Sequence, residues 1–472
     1  MTSTISSRVF YHIYPLGMCG APARNDFDSP PGSGLKQLAD RIPHLQSLGV
    51  NAVYLGPLFE SAAHGYDTVD YWHVDRRLGT DADLAALVRS FHDAGIAVVL
   101  DAVLNHTGRD FFAFRDLREK GPESAYRGWY KGVDFSHRSP AGDSFMYEGW
   151  SGHYDLAKLE TADPAVREHL FGAVRHWIED FGIDGLRLDA ADVLSPDFMD
   201  ALSIFCKSIK PDFWLMGEVV HGDYTHWARA GRLDSVTNYE LYKGLWSSLN
   251  DRNFFELAWS LNRQSGSEGL YKGLKLYTFV DNHDVPRAAS VLTRPADLPL
   301  LYSLLFTVPG IPSVYYGSEW GIRGAKQPGS DADLRPAIAE TAEQGKYARL
   351  PPYLKPEISA LHLENTIRAL SALRKSNAAL RDGDYRQLHV SSTLLAFERI
   401  FKGEKTPNDQ SYAAVVANAD ESTANVSIRA ESLGHGRRFV DALDRSAGFT
   451  SEHGSLAVQI PARTLRVLVP AD

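Results

Sequence analysis

Short apolar runs and helix-spaced apolar positions alternate along the chain from residue 9 to about residue 308. Residues 9–14 (VFYHIY) predict a first strand, 50–57 (VNAVYLGP) a second and 96–106 (IAVVLDAVLNH) a third. Between them, residues 35–48 predict a helix, with Leu38, Ile42, Leu45 and Leu48 on helical spacing, and residues 81–94 predict another. The alternation resumes with a helix over 162–182 and continues through strands at 183–190, 213–218, 233–238, 274–282 and 311–317. Helices near 198–209, 254–261 and 298–308 fall between these strands. Short links between such elements imply parallel strands. Doubly wound open sheets alternate in the same way, but eight strands is the number a closed barrel needs.

Two segments break the rhythm. Residues 105–160 carry many Gly, Ser, Tyr and Trp residues and few apolar runs. A structureless loop of that length would be unusual, so a small inserted domain is expected after the third strand. Beyond residue 377, the runs TLLAFERIF, SYAAVVANA, TANVSIRA and TLRVLVP predict short antiparallel strands, after a helix around 367–374. The expected fold class is therefore α/β: a (β/α)₈ TIM barrel with an inserted domain after strand 3 and a C-terminal antiparallel β-sandwich. The expected boundaries are 1–104 and 161–376 for the barrel, 105–160 for the insert and 377–472 for the sandwich.

In such a barrel, function collects at the C-terminal ends of the strands. The third strand ends in DAVLNH, the fourth in GLRLDAAD, the fifth in GE and the seventh in FVDNHD. Period 2 places Arg187 and Asp189 on one face of the fourth strand, with Leu186 and Leu188 on the other. A guanidinium beside a carboxylate keeps it ionised and oriented, as a nucleophile requires; a buried structural ion pair is the alternative. Glu218 ends the apolar strand FWLMG, where desolvation would raise its pKa toward that of a working acid. Asn282, His283 and Asp284, like Asp101 and His106, suit gripping sugar hydroxyls better than binding a metal, because no H-E-x-x-H helix or cysteine pair accompanies them. Several carboxylates on one barrel rim match glycosidic bond cleavage. Nine Trp and 21 Tyr add rings that can stack on sugars. Among these, Trp72, Trp129, Tyr130, Tyr147, Trp150 and Tyr154 lie in or near loop-like segments; packing of the insert accounts for at least half of them.

Composition narrows the picture further. The 472 residues carry a formal net charge of −10 and no basic block, so a nucleic-acid partner is not expected. No apolar run approaches about 18 residues, so no membrane span is expected. The N-terminus lacks the pattern of a signal peptide, and a cytoplasmic location is the expectation. Cys19 and Cys206 are expected to be free thiols.

With these motifs in order, the chain resembles the α-amylase family of glycoside hydrolases, family 13. DAVLNH (101–106), GLRLDAADV (185–193), GEV (217–219), FVDNHD (279–284) and GIPSVYYGSEWG (310–321) look like its strand-end motifs. The resemblance implies Asp189 as nucleophile, Glu218 as general acid/base and Asp284 as transition-state stabiliser. It implies His106, Arg187 and His283 as sugar ligands, and Tyr66 and Asp67 in HGYD as the stacking Tyr and its partner. DLAKLET (155–161) is similar to a motif of cyclomaltodextrinases, neopullulanases and maltogenic amylases, though Ala157 and Glu160 replace a usual Pro and Asn. That subgroup's N-terminal sandwich is expected to be missing. Val193 stands where calcium-dependent members carry His, and Asp192 where they carry Lys, so neither a metal nor a cofactor is expected. Ala190 looks like α-1,4-acting members.

The expected function is retaining hydrolysis of α-1,4 bonds in malto-oligosaccharides, extending to cyclodextrins. The alternatives are an α-1,6-acting glucosidase, or a transglycosylase or isomerase of the trehalose synthase, glucanotransferase or sucrose phosphorylase type. A sugar-binding protein on an inactive version of the fold would have lost carboxylates that this chain keeps. The expected partner is an α-glucan oligosaccharide, and the expected state is a monomer or weak homo-oligomer.

Overall fold

The computed structural model describes residues 5–338, 350–403 and 410–471. Its largest sheet holds eight strands: Phe10–Ile13, Ala52–Leu55, Ala97–Ala102, Gly185–Leu188, Trp214–Gly217, Ser235–Val236, Tyr277–Phe279 and Ile311–Tyr315. The hydrogen-bonded order is seventh, eighth, first and then onward to sixth, with every neighbouring pair parallel. A parallel bridge between Thr237 and Tyr277 joins the sixth strand to the seventh, and the Asn238 amide donates to the Tyr277 carbonyl at 2.8 Å. These contacts close the sheet into a (β/α)₈ barrel, not an open doubly wound sheet.

Period 2 sorts the strand residues into two layers. Phe10, Tyr54, Val99, Met216, Phe279 and Ile311 pack together inside the barrel. Tyr11, Val53, Val98, Leu186, Leu215 and Val314 join the core under the outer helices. The register then carries chemistry to the rim: Arg187 pairs with Asp101 on one side and Met216 on the other. Gly217 lets the fifth strand deliver Glu218 at close quarters. A Cβ there would lie 2.5 Å from Leu233 and 2.8 Å from Ala191.

The helix Asp81–Asp93 forms as its pattern predicts. Thr80 and Asp83 make a reciprocal capping box, and Leu84, Leu87, Val88 and Phe91 are buried at helical spacing. The single helix expected over 35–48 is instead two, Gly34–Ala39 and Ile42–Ser47. Pro43 sits in the first turn of the second helix. It has no N–H to continue a helix from the preceding turn but is well tolerated at a helix start. A further helix, Tyr239–Asn250, was not among the elements the pattern predicted; Asn238 caps it by accepting from the Leu241 amide at 3.1 Å.

Between the third and fourth strands lies a three-stranded antiparallel sheet of His106–Gly108, His153–Lys158 and Gly149–Trp150, with the helix Phe112–Lys120. At the C-terminal end, a six-stranded antiparallel sheet and a two-stranded one share a core that includes Val416, Ile428, Phe439, Leu456 and Leu468. Arg374 and Arg399 join this part to the barrel, both fully buried. Arg399 donates to the Thr307 carbonyl at 2.9 Å and twice to the Gly383 carbonyl. Arg374 donates to the carbonyls of Phe306 and Leu380. Phe306 and Thr307 end the helix Leu298–Thr307, whose last carbonyls need donors and attract cations.

Arg399→Met keeps the stem's bulk but leaves the Thr307 and Gly383 carbonyls without that donor. Each buried orphan costs about 1–3 kcal/mol. The urea midpoint of Arg399→Met should therefore fall clearly below wild type, and an unchanged midpoint would contradict this account of the junction.

Candidate active site

Four barrel strands and the turns after them converge on one buried guanidinium. Arg187 Nη1 donates to Asp101 Oδ1 and Asp189 Oδ1, both at 2.8 Å, and Nη2 lies 2.9 Å from Glu218 Oε2. Asp101 sits deepest: its second oxygen accepts from Tyr54 at 2.6 Å and Tyr66 at 3.0 Å. Asp189 and Glu218 lie above it, their side chains 10% and 14% exposed. The Ala190 amide donates to Glu218 Oε2 at 3.2 Å. Ala190 itself is left-handed, at φ 46° and ψ 44°, which a non-glycine residue adopts only at a cost.

A second group faces the first from the seventh strand's end. His283 Nε2 is 2.9 Å from Asp284 Oδ2 and also meets the Tyr66 hydroxyl. Arg335 Nη2 is 2.9 Å from Asp284 Oδ1, and its Nε donates to the His283 carbonyl at 3.0 Å. Arg335 lies over the Tyr14 ring, 4.7 Å from its centre. Asn282 accepts from the Asp284 and Val285 amides, and its NH₂ donates to the Tyr239 hydroxyl at 3.0 Å.

The two groups differ in electrostatics. Burial lifts Asp189 well above the usual carboxylate range and raises Glu218; Arg187 opposes both shifts, while the charge on Glu218 lifts Asp189 further and the charge on Asp284 lifts Glu218. The pair therefore titrates as a unit. The sequence expectation was that Arg187 would hold Asp189 ionised and leave Glu218 its proton. The fork instead serves both, so Arg187 alone does not separate them. Asp284 goes the other way: burial works against its charge, but His283 and Arg335 hold it well below the usual range. Burial lowers His106 to about 4, so this imidazole is neutral near pH 7.

The expected site residues are largely brought together. Asp189, Glu218, Asp284, Arg187, His283 and Tyr66 form one connected cluster with Asp101 as its floor. His106 joins at the edge, with Nε2 3.1 Å from the Tyr66 carbonyl and 4.0 Å from Asp189 Oδ2. Asn282 braces the turn and Tyr239, while Asp67 turns toward His64, at 3.8 Å. Of the loop aromatics, Trp150 lies against His106. Tyr130 and Tyr147 pack on Phe114, Tyr154 packs on Tyr147, and Trp72 and Trp129 pack on His169. Sequence reasoning missed Tyr14, Tyr54, Tyr239 and Arg335. The first two were readable as aromatics near or on rim strands; Arg335 lies far beyond the end of the eighth strand and carried no signal.

Known proteins share this fold over most of the chain. Residues 25–387 match the family model described as alpha amylase, catalytic domain. The chain is 31% identical over 387 residues to a cyclomaltodextrinase of Thermoanaerobacter pseudethanolicus, an alignment spanning 80% of this chain and 63% of that one. It thus spans a little under two thirds of that relative's length. The crystal structure of a debranching enzyme from Nostoc punctiforme, 28% identical, superposes with a TM-score of 0.77 over 98% of both chains. A cyclic α-maltosyl-(1→6)-maltose hydrolase from Arthrobacter globiformis, 27% identical, does so with a TM-score of 0.78 over 99% of both.

The opposite shifts predict opposite effects on stability. The folded-state pKa of Glu218 is raised, so the stability it contributes is full below its unfolded pKa, about 4.3, and is lost as pH rises through the folded value. Glu218→Gln never acquires that charge and should melt above wild type at pH 7–8, with the gain shrinking toward pH 4. The folded-state pKa of Asp284 is lowered, so its contribution is present above about pH 4 and lost as pH falls. Asp284→Asn should melt below wild type at neutral pH. Melting curves from pH 4 to 8 that move both variants in the same direction would refute the assignment.

Proposed function

The chain belongs to the α-amylase family of glycoside hydrolases, and from that premise we propose that it is a retaining α-glucan hydrolase acting on short, branched or cyclic malto-oligosaccharides. One observation carries the reading: a single buried fork, Arg187, holds Asp189 and Glu218 side by side at the mouth of the barrel. Neighbours on one fork suit the separation of about 5–5.5 Å used in double displacement better than the about 6.5–9.5 Å that leaves room for water.

In this reading Asp189 attacks the anomeric carbon while Glu218 gives its proton to the departing glycosidic oxygen. Glu218 then takes a proton from water, which opens the glycosyl-enzyme with net retention. Asp284, kept ionised by His283 and Arg335, stabilises the positive charge that develops on the sugar in both steps. Tyr66 offers its ring to that sugar. Arg187 and Asp101 hold the pair in place from below.

For linkage, we favour action on α-1,6 bonds in addition to α-1,4 bonds. Two enzymes that this chain matches over nearly the full length of both partners are a debranching enzyme and a hydrolase of a cyclic α-(1→6)-linked maltose dimer. This departs from the α-1,4 preference suggested by Ala190. The buried, left-handed setting of Ala190 gives that residue a backbone role instead.

Chromatography of products from panose, maltotriose, pullulan, β-cyclodextrin and cyclic maltosyl-(1→6)-maltose tests the linkage. Cleavage of the α-1,6 bond in panose or in the cyclic sugar is expected. If every product arises from α-1,4 cleavage, the wider reading is wrong.

The carboxylate roles are tested separately. Glu218→Gln should slow natural glucans by at least roughly 10²-fold. It should slow an α-glucosyl fluoride, which leaves without a proton, much less, and azide should restore turnover as an α-glucosyl azide. Asp189→Asn should respond to neither. Wild-type product should appear first as the α anomer by NMR. A β anomer at early times, or rescue of Asp189→Asn but not Glu218→Gln, would exchange or remove these roles.

A further inference from the structure

We infer that Arg187 and Ala190, by occupying Oε2 of Glu218 with two donors, leave Oε1 as the oxygen that carries the acid proton, and that Tyr239 is a positioning residue whose donation to Oε1 makes Glu218 a stronger acid. The inference rests on the reading of Glu218 as acid/base. The two carboxyl oxygens have different partners. Oε2 meets Arg187 Nη2 at 2.9 Å and the Ala190 amide at 3.2 Å. Guanidinium and peptide N–H groups only donate, so a proton on Oε2 would face two other hydrogens. The Ala190 amide takes this aim from a left-handed backbone, so a strained residue next to Asp189 serves Glu218.

Oε1 meets a hydroxyl. Tyr239 donates to it at 3.4 Å, a long bond, and in turn accepts from Asn282 Nδ2 at 3.0 Å. The direction of this relay follows from Asn282, whose other end accepts from the Asp284 and Val285 amides at 2.8 and 3.1 Å. With its oxygen bound there, the Asn282 amide can only donate to Tyr239, which frees the Tyr239 hydrogen for Glu218. The ring is held edge-on to Phe279, 5.0 Å between centres. The start of its helix is pinned by Asn238, which is paired in both directions with Gln264.

Among the described residues, Arg187 and Asp189 from the fourth strand, His283 and Asp284 after the seventh, and Tyr239 after the sixth face Glu218. The Tyr239 hydroxyl is the donor among them that can be removed without changing a charge. A donor to a carboxylate favours its ionised form. Removing it makes Glu218 a weaker acid, and the acid step alone should suffer.

The test is the pH dependence of Tyr239→Phe on maltotriose and on α-glucosyl fluoride. The basic limb of kcat/KM for maltotriose should move up by roughly half to one pH unit, and turnover should fall roughly tenfold. Fluoride turnover, which needs no acid, should stay within about twofold. A second variant keeps the hydroxyl: 3-fluorotyrosine at position 239 is a stronger donor and should move the basic limb down. An unmoved limb in both variants, or equal losses on both substrates, would overturn the relay. Failure of the underlying reading shows elsewhere: Glu218→Gln would then gain nothing from fluoride or azide, whatever Tyr239→Phe does.

Discussion

The site depends on keeping Arg187 charged inside the barrel. Moving a guanidinium out of water costs several kcal/mol, recovered only where geometry and hydrogen bonding are good. Three carboxylates, Asp101, Asp189 and Glu218, contact this one fork. Although burial works against the cation, Asp101 and Glu218, with Tyr54 and Tyr66, hold the Arg187 pKa well above its ordinary value. Asp101 anchors it from below, and Tyr54 and Tyr66 tie Asp101 down. The upper two carboxylates share what remains of the fork. A lysine could not do this, because its ammonium lacks the planar geometry that fixes two acceptors side by side.

Strain follows from the same arrangement. One cation facing three carboxylates leaves the upper pair short of counter-charge, and burial raises both pKa values. Two groups that resist full ionisation together are suited to work as nucleophile and proton donor in one step. Asp284 stands apart because His283 and Arg335 flank it, so one pocket shifts its carboxyl groups in opposite directions. The left-handed Ala190 adds a local cost to the same few residues. The closed barrel makes such costs bearable: its two apolar layers hold the strand ends in register while the rim is electrostatically unfavourable.

Much of this was legible in the sequence, because period 2 and strand-end position are local properties. The alternation of strands and helices gave the count of eight. The positions of Asp101, Arg187, Asp189, Glu218 and Asp284 at strand ends placed them on one rim before any distance was known. What failed locally failed for local reasons. Pro43 split a helix that apolar spacing alone would have continued. The helix Tyr239–Asn250 went unread because its Gly244, serines and aromatic residues mask the pattern of Leu241, Leu245 and Leu249.

The chain's own order thus determined the barrel and which carboxyl groups reach its mouth, because the inward or outward aim of a strand residue follows from parity. Tertiary structure alone decided how those groups share charge. Arg335 reaches Asp284 from 51 positions away, and Asn282 reaches Glu218 only through Tyr239. It also gave Arg187 to Asp189 and Glu218 together. Spacing along the fourth strand pointed to Asp189 alone, since a guanidinium's second arm is assigned by whichever neighbouring strand the closed sheet sets beside it.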